Sequence, residues 1–223
     1  MTPKIYISPS DQVSNTYAVG NTNEAVQCRA IAQYLDAALK RCGFESKTNT
    51  TAGGKSGMSV RVKESNEWGA DLHLPIHTNA FDKKVKGTRL MAHDLKGTGY
   101  KACAAIMETL APITPGTSDN ITARPGLYEV ANSKAPCAYI EVAFHDNPEE
   151  AQWIIDHKED IAEAICKGLC NFYGIKYVPQ KETPVNGFWR VQVGAFSKRA
   201  NAEAMKEKLT ASGYDAFIVE AKK

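Results

Sequence analysis

Two rhythms divide the chain. Short runs dense in β-branched and aromatic residues, namely KIYIS, DLHLPIH, GTRLMAH, GLYEV and CAYIEVAF, predict strands. Between them lie longer runs with apolar residues at helical spacing. In NEAVQCRAIAQYLDAALKRCG the residues Val26, Ile31, Leu35, Leu39 and Cys42 make one stripe, and Gly43 supplies the stop. MSVRVKESNEWG predicts a short helix, and GYKACAAIMETLAP another, closed by Pro112. PEEAQWIIDHKEDIAEAICKGLCNFYG predicts the last helical run, with Pro148 in its first turn and a break near His157. This order predicts an α/β fold, a twisted and mostly parallel sheet with helices on both faces. Ligands of such sheets bind at the carboxyl ends of the strands.

The rhythm lapses at YVPQKETPVNG, which has two prolines and no apolar period. That divides the chain into a main domain over 1–176, a linker over 177–186 and a small module over 187–223. In the module Trp189, Val191 and Val193 alternate with Arg190 and Gln192 as a strand. Ser197 is placed to cap a helix running to about Ser212, Gly213 closes it, and DAFIVE follows as a second strand. The module is a single βαβ unit. At about 37 residues, such a unit is too small to bury its apolar positions alone. The expectation is a homodimer in which the same repeat of a second chain covers them.

Composition narrows the classes. The 223 residues are 43% hydrophobic and 23% charged, as in an ordinary globular protein. A formal net charge of +2 gives no reason to expect nucleic acid. No run is apolar enough to insert in a membrane. The start, MTPKIYISPS, lacks the apolar core of a signal peptide, so the expectation is cytoplasmic synthesis. The six cysteines have no metal-binding spacing and read as small buried hydrophobes.

The chemistry concentrates at strand ends. His77 closes the strand in DLHLPIHTNAF, and Glu24 opens the first long helix. Glu141 stands in YIEVAFHDN where alternation calls for an apolar residue, and a carboxylate there is costly to bury without a partner. Imidazole and carboxylates converging at strand ends suit a zinc hydrolase, which needs three protein ligands, an open position and a carboxylate base. His73 lies four residues before His77, about 13 Å along a strand, so both cannot hold one ion and His73 reads as a core histidine.

The segments NEAVQCRAIAQYLDAALKRCG, DLHLPIHTNA and APCAYIEVAFHDN, in this order, resemble the zinc-dependent N-acetylmuramoyl-L-alanine amidases of the amidase-3 type. The resemblance covers roughly residues 4–174. It implies a six-stranded α/β domain that cleaves the amide between N-acetylmuramic acid and the L-alanine of the peptidoglycan stem. It implies Glu24 and His77 as zinc ligands, Glu141 as the catalytic carboxylate, and Asn79 as a residue that touches substrate. Arg124, in TARPGLYEV, is a further candidate for a stem-peptide carboxylate. The C-terminal segment FWRVQVGAFSKRANAEAMKEKLTASGYDAFIV resembles one repeat of the SPOR domain, which implies peptidoglycan binding.

One motif departs from the family. Its first zinc ligand is a histidine in a D-P-G-H turn, and here that turn is SPSD, Ser8 to Asp11. Asp11, at the histidine's position, and His145, four residues after Glu141, are the two candidates for the third ligand. The departure also leaves an alternative, a non-catalytic wall-binding protein on a degenerate amidase fold. Cytoplasmic synthesis fits a phage endolysin or a mother-cell autolysin, either one reaching the wall only after lysis.

Overall fold

A computed structural model of the chain describes residues 2–50, 57–180 and 192–220. The chain forms two units, Met1–Gln180 and Lys181–Lys223.

In the first unit β1 (Lys4–Pro9), β2 (Glu45–Thr48), β3 (Leu72–Asn79) and β6 (Tyr139–Phe144) run parallel, and β4 (Arg89–Ala92) lies antiparallel to β6 and parallel to β5 (Asn120–Ala123). The order across the sheet is β2-β1-β3-β6-β4-β5. The six-stranded, mostly parallel sheet expected from the sequence is present. Its helices are α1 (Glu24–Arg41), α2 (Gly57–Trp68), α3 (Thr98–Leu110), α4 (Tyr128–Asn132), α5 (Pro148–Asp156) and α6 (Lys158–Tyr173). The break expected near His157 separates α5 from α6.

The register sorts the sheet into two unlike faces. Ile5 pairs with Leu72, Ile7 with Leu74, and Ile76 with both Pro9 and Ile140. These residues are fully buried with Ile31 and Leu35 of α1, Ile106 of α3 and Ile165 of α6, and form the main core. On the opposite face Tyr6 pairs with His73, Ser8 with Pro75 and His77 with Glu141. That face is polar although buried, so each of its groups needs a partner. Arg61 of α2 and Glu129 of α4 supply several, and both are almost completely buried.

Several elements differ from the sequence reading. GLYEV, expected as a strand, instead enters α4 at Tyr128. The chain leaves β5 at Ala123 and turns through Pro125 and Gly126, and the Leu127 N–H donates to the Arg124 carbonyl at 3.2 Å. Helical geometry then buries the adjacent pair Glu129 and Val130, which a strand would send to opposite faces. The short strands β2 and β5 were not expected. In α1 the apolar stripe passes through Cys28, and Val26 is exposed, because the Asn23 side chain accepts the Val26 N–H at 3.1 Å and so fixes the phase of the first turn. Cys42 ends α1, and Gly43, at φ +88°, turns the chain away.

In the second unit α7 (Arg199–Ala211) follows Lys198 as N-cap, one residue past the expected Ser197, and Gly213 closes it at φ +86°. The strand expected around 188–193 lies largely outside the described residues. Residues 215–220, expected as its partner, form no ladder among the described residues. Neither does any described helix have the length and apolarity to cross a membrane.

Candidate active site

The site lies at the carboxyl end of β3. Glu24 arrives there because the Asn23 cap starts α1 beside the strand end, and the Glu24 N–H donates to the Asn15 carbonyl at 2.9 Å. The Glu24 Oε1 is 2.8 Å from His77 Nδ1, and its Oε2 accepts from the Asn15 amide at 2.6 Å. The Gln12 amide nitrogen lies 3.3 Å from the same His77 Nδ1. The ring of His77 stacks on Tyr139 with centroids 4.7 Å apart. Its other nitrogen, Nε2, faces Glu129 Oε2 at 3.5 Å.

Glu141 stands beside His77 on the neighbouring strand, in direct register. Its Oε2 is enclosed and has no hydrogen-bond partner. Burial pushes its pKa from 4.5 up to about 7, the neighbouring charge of His77 pulls it down, and Glu24 adds to the rise. The result is a carboxylate near its midpoint at neutral pH, as a general base requires. For Glu24 burial also acts upward, but hydrogen bonds from His77, Asn15 and Ser10 outweigh it and hold the carboxylate below its ordinary value. Burial would lower the pKa of His77. Hydrogen bonds to Glu129 and Glu24, with the charge of Glu141, raise it instead to about 10.

Of the residues picked from the sequence, Glu24, His77 and Glu141 are brought together. Asp11 turns toward α2, where Arg61 Nη2 is 3.4 Å from its Oδ1 and its Oδ2 is enclosed without a hydrogen-bond partner. The close approach of this oxygen to Gly57 needs glycine there, since a Cβ would come within 2.0 Å of it. His145 turns to β3 instead. Its Nδ1 lies 2.9 Å from the Thr78 carbonyl and 3.0 Å from the Thr78 hydroxyl, and its ring stacks on Tyr17. Neither candidate contacts Glu24 or His77. Asn79 ends β3, and its backbone carbonyl accepts from the His145 N–H at 2.8 Å. Arg124 is exposed just after β5, its N–H donating to the Ala92 carbonyl at 2.8 Å. His73 is fully buried, stacked on Tyr6, with Nε2 at 3.2 Å from Glu129.

Two contributors were missed, and Gln12, beside Asp11, was passed over as a poorer donor. Asn15 sits in an irregular turn, where no period marks it. Glu129 had a signal of the same kind as Glu141, a carboxylate among Leu127, Tyr128 and Val130.

The donors present fit a zinc ion. Imidazole and carboxylate are its ordinary ligands outside thiolate sites. An enclosed, unpartnered carboxylate oxygen on Glu141 is the kind of group that a nearby cation or water satisfies. The one cluster of described residues with three ligand atoms within 4.8 Å of one another is Cys42, Cys166 and Cys170. It sits past the far end of α1, about 27 Å from Glu24 by helix rise, and burial raises the thiols of Cys166 and Cys170, the latter to about 12. It is a packed apolar contact remote from the strand ends.

Comparison with known proteins agrees with this geometry. Residues 5–171 match the amidase-3 family model, described as N-acetylmuramoyl-L-alanine amidase, and residues 185–223 match the SPOR domain. The chain is 22% identical over 226 residues to the sporulation-specific N-acetylmuramoyl-L-alanine amidase of Bacillus subtilis (strain 168), covering 97% of this chain and 84% of the relative. It is 28% identical over 146 residues to the germination-specific amidase of the same organism, covering 60% and 62%. The catalytic domain of CwlV, an N-acetylmuramoyl-L-alanine amidase from Bacillus (Paenibacillus) polymyxa var. colistinus, superposes with a TM-score of 0.69 at 16% identity over 79% of this chain and 100% of that one. AmiC2 of Nostoc punctiforme superposes with 0.65 at 19%, over 77% and 97%. At such identities these structures establish the fold. The relatives also correct one expectation, that the chain stays in the cytoplasm until lysis. Sporulation- and germination-specific amidases act at the cell wall, and the ten residues MTPKIYISPS do not decide whether a leader takes part.

Proposed function

We propose a zinc-assisted mechanism for this chain, which belongs to the N-acetylmuramoyl-L-alanine amidase family and is a peptidoglycan hydrolase that cleaves the amide between N-acetylmuramic acid and L-alanine. The observation that carries it is the register pair His77 and Glu141, with an enclosed Glu141 oxygen left unpartnered. Glu24 and His77 hold the ion. The third donor comes from the turn after β1, where Gln12 reaches His77 and Asp11 keeps an unpartnered oxygen. His145 is the weaker candidate, since its Nδ1 is committed to Thr78. An ion held there would acidify a water and polarise the scissile carbonyl.

The protein's own groups do the rest. Asn15 keeps Glu24 aimed at His77, and Tyr139 fixes the ring plane of His77. Glu141 takes a proton from the attacking water and hands it to the departing alanine nitrogen. Asn79 at the strand end and Arg124 past β5 face the substrate as secondary contacts. A non-catalytic wall binder has no use for a half-buried base of this kind, which favours the enzyme. The SPOR repeat holds the chain on glycan. In this repeat Val193 and Val219 are more than half exposed, which favours a second copy as their cover.

Zinc content of the purified chain, measured together with release of amino termini from purified peptidoglycan, tests the reading. One zinc per chain and release of alanine amino termini are expected. A metal-free chain that still cleaves would refute the zinc mechanism.

A further inference from the structure

Behind His77 lies a relay that the mechanism above does not use. Glu129 is 1% exposed and sits between two histidines of β3, its Oε1 3.2 Å from His73 Nε2 and its Oε2 3.5 Å from His77 Nε2. The Ser8 hydroxyl donates a short hydrogen bond to Oε1, and the buried Arg61 Nε donates to the Ser8 oxygen at 3.0 Å. Oε2 accepts no hydrogen bond of normal length from any described residue, and neither does His77 Nε2 make one. The carboxylate is therefore anchored by one oxygen while the other is aimed at His77.

A buried carboxylate is costly unless paired, so its retention here needs a reason. Position supplies one. The Nδ1 side of His77 opens on Glu24 and Gln12, whereas the Nε2 side is closed by Glu129. An imidazole that ligates a metal through one nitrogen commonly donates its other N–H to a carboxylate, which fixes tautomer and ring orientation and makes the ligand more basic. We propose that Glu129 is the positioning residue of the metal site. When an ion binds, Glu129 would hold the proton of His77 at Nε2 so that Nδ1 gives up its hydrogen bond to Glu24 and is free to ligate. The inference rests on the zinc reading. On this account α4 exists as a helix because one turn of it delivers this carboxylate to the polar sheet face, and Arg61 and Ser8 keep it from swinging to His73 alone.

The test is zinc titration of the chelator-stripped full chain against a chromophoric competitor, with Glu129→Gln as the variant. Glutamine keeps the volume and loses the charged acceptor. Zinc affinity should fall about 10–100-fold, with the number of zinc ligands in X-ray absorption unchanged, and Glu129→Asp should recover part of the loss. Ser8→Ala, which only loosens the anchor, should show a smaller loss in the same direction. It also decides the matter if Glu129→Gln does not fold, since affinity equal to the parent's would then overturn the proposal. Parent-like affinity in Glu129→Gln overturns it too. Loss of one oxygen from the coordination shell overturns it in another way, by making Glu129 a ligand. Failure of the parent chain to bind zinc brings down the metal reading itself, and is told apart because it shows in the unmutated arm.

Discussion

Replacing Glu141 by glutamine should make a better-folded and worse enzyme. In the metal-free protein burial lifts this carboxylate from 4.5 to about 7. The sign follows from linkage: the folded state binds the proton more tightly than the unfolded chain, so stability is full below about 4.5 and declines as pH rises through about 7. Above that the ionised group costs roughly 3 kcal/mol. Glutamine removes the cost, and with allowance for relaxation of the site the melting temperature of chelator-treated protein at pH 8 should rise by roughly 3–6 °C. At pH 4.5 the variant and the parent should melt together. Turnover should move the other way, falling about 10²–10⁴-fold with zinc still bound, a barrier increase of roughly 3–5 kcal/mol. The assays are calorimetry at the two pH values and release of amino termini from purified peptidoglycan. A variant that is destabilised at pH 8, or one that cleaves at the parent's rate, would refute the reasoning.

Four further outcomes are expected. His77→Ala should lose zinc and activity together, which elemental analysis and the peptidoglycan assay check. Asp11→Ala or Gln12→Ala should weaken zinc binding in competition titrations, whereas His145→Ala should leave it near the parent's value and instead lower the melting temperature, because His145 packs on Thr78 and Tyr17. Zinc uptake should tighten by about tenfold per pH unit between pH 6 and 8, because His77, raised to about 10 in the free protein, must release its proton to bind; calorimetry in buffers of different ionisation enthalpy counts that proton. Sedimentation of the full chain against a version ending at Tyr177 checks the C-terminal pairing, and a monomeric full chain at tens of micromolar would end that idea.

What the sequence revealed depended on whether a residue's role left a mark on periodicity. The long helix from Glu24 and the apolar half of β3 were legible because the main core imposes one face on each. Glu141 was legible as a carboxylate in an otherwise apolar strand, although in the structure it keeps the alternation and lies on the polar face opposite Ile140 and Val142. The edge strand β2, ESKT, left no trace, since four polar residues half-exposed on one side satisfy no apolar rule. GLYEV misled because Leu127, Tyr128 and Val130 suit a strand, whereas the chain turns at Pro125 and Gly126 and enters α4. The resemblance to the amidase family supplied Glu24 as a candidate ligand, which its helix-start position alone could not. The third ligand stayed open because the turn after β1 departs from the family motif.

The pairing of His77 with Glu141 rung for rung on adjacent strands has a consequence for how this protein can fail. A ligand and a base carried on one loop could shift together and keep their spacing. Here they belong to segments 64 positions apart in the chain, joined only by the ladder between β3 and β6. Sliding β6 by one residue would send Glu141 through the sheet to the hydrocarbon side and bring Ile140 or Val142 to the mouth. Such a slip, or a one-residue insertion early in β6, would yield a chain with nearly normal helix content and no hydrolysis. Enzymatic activity therefore works as a proofreading signal for strand alignment that circular dichroism cannot supply, and a library of single-residue insertions scored for both would map where the sheet keeps count.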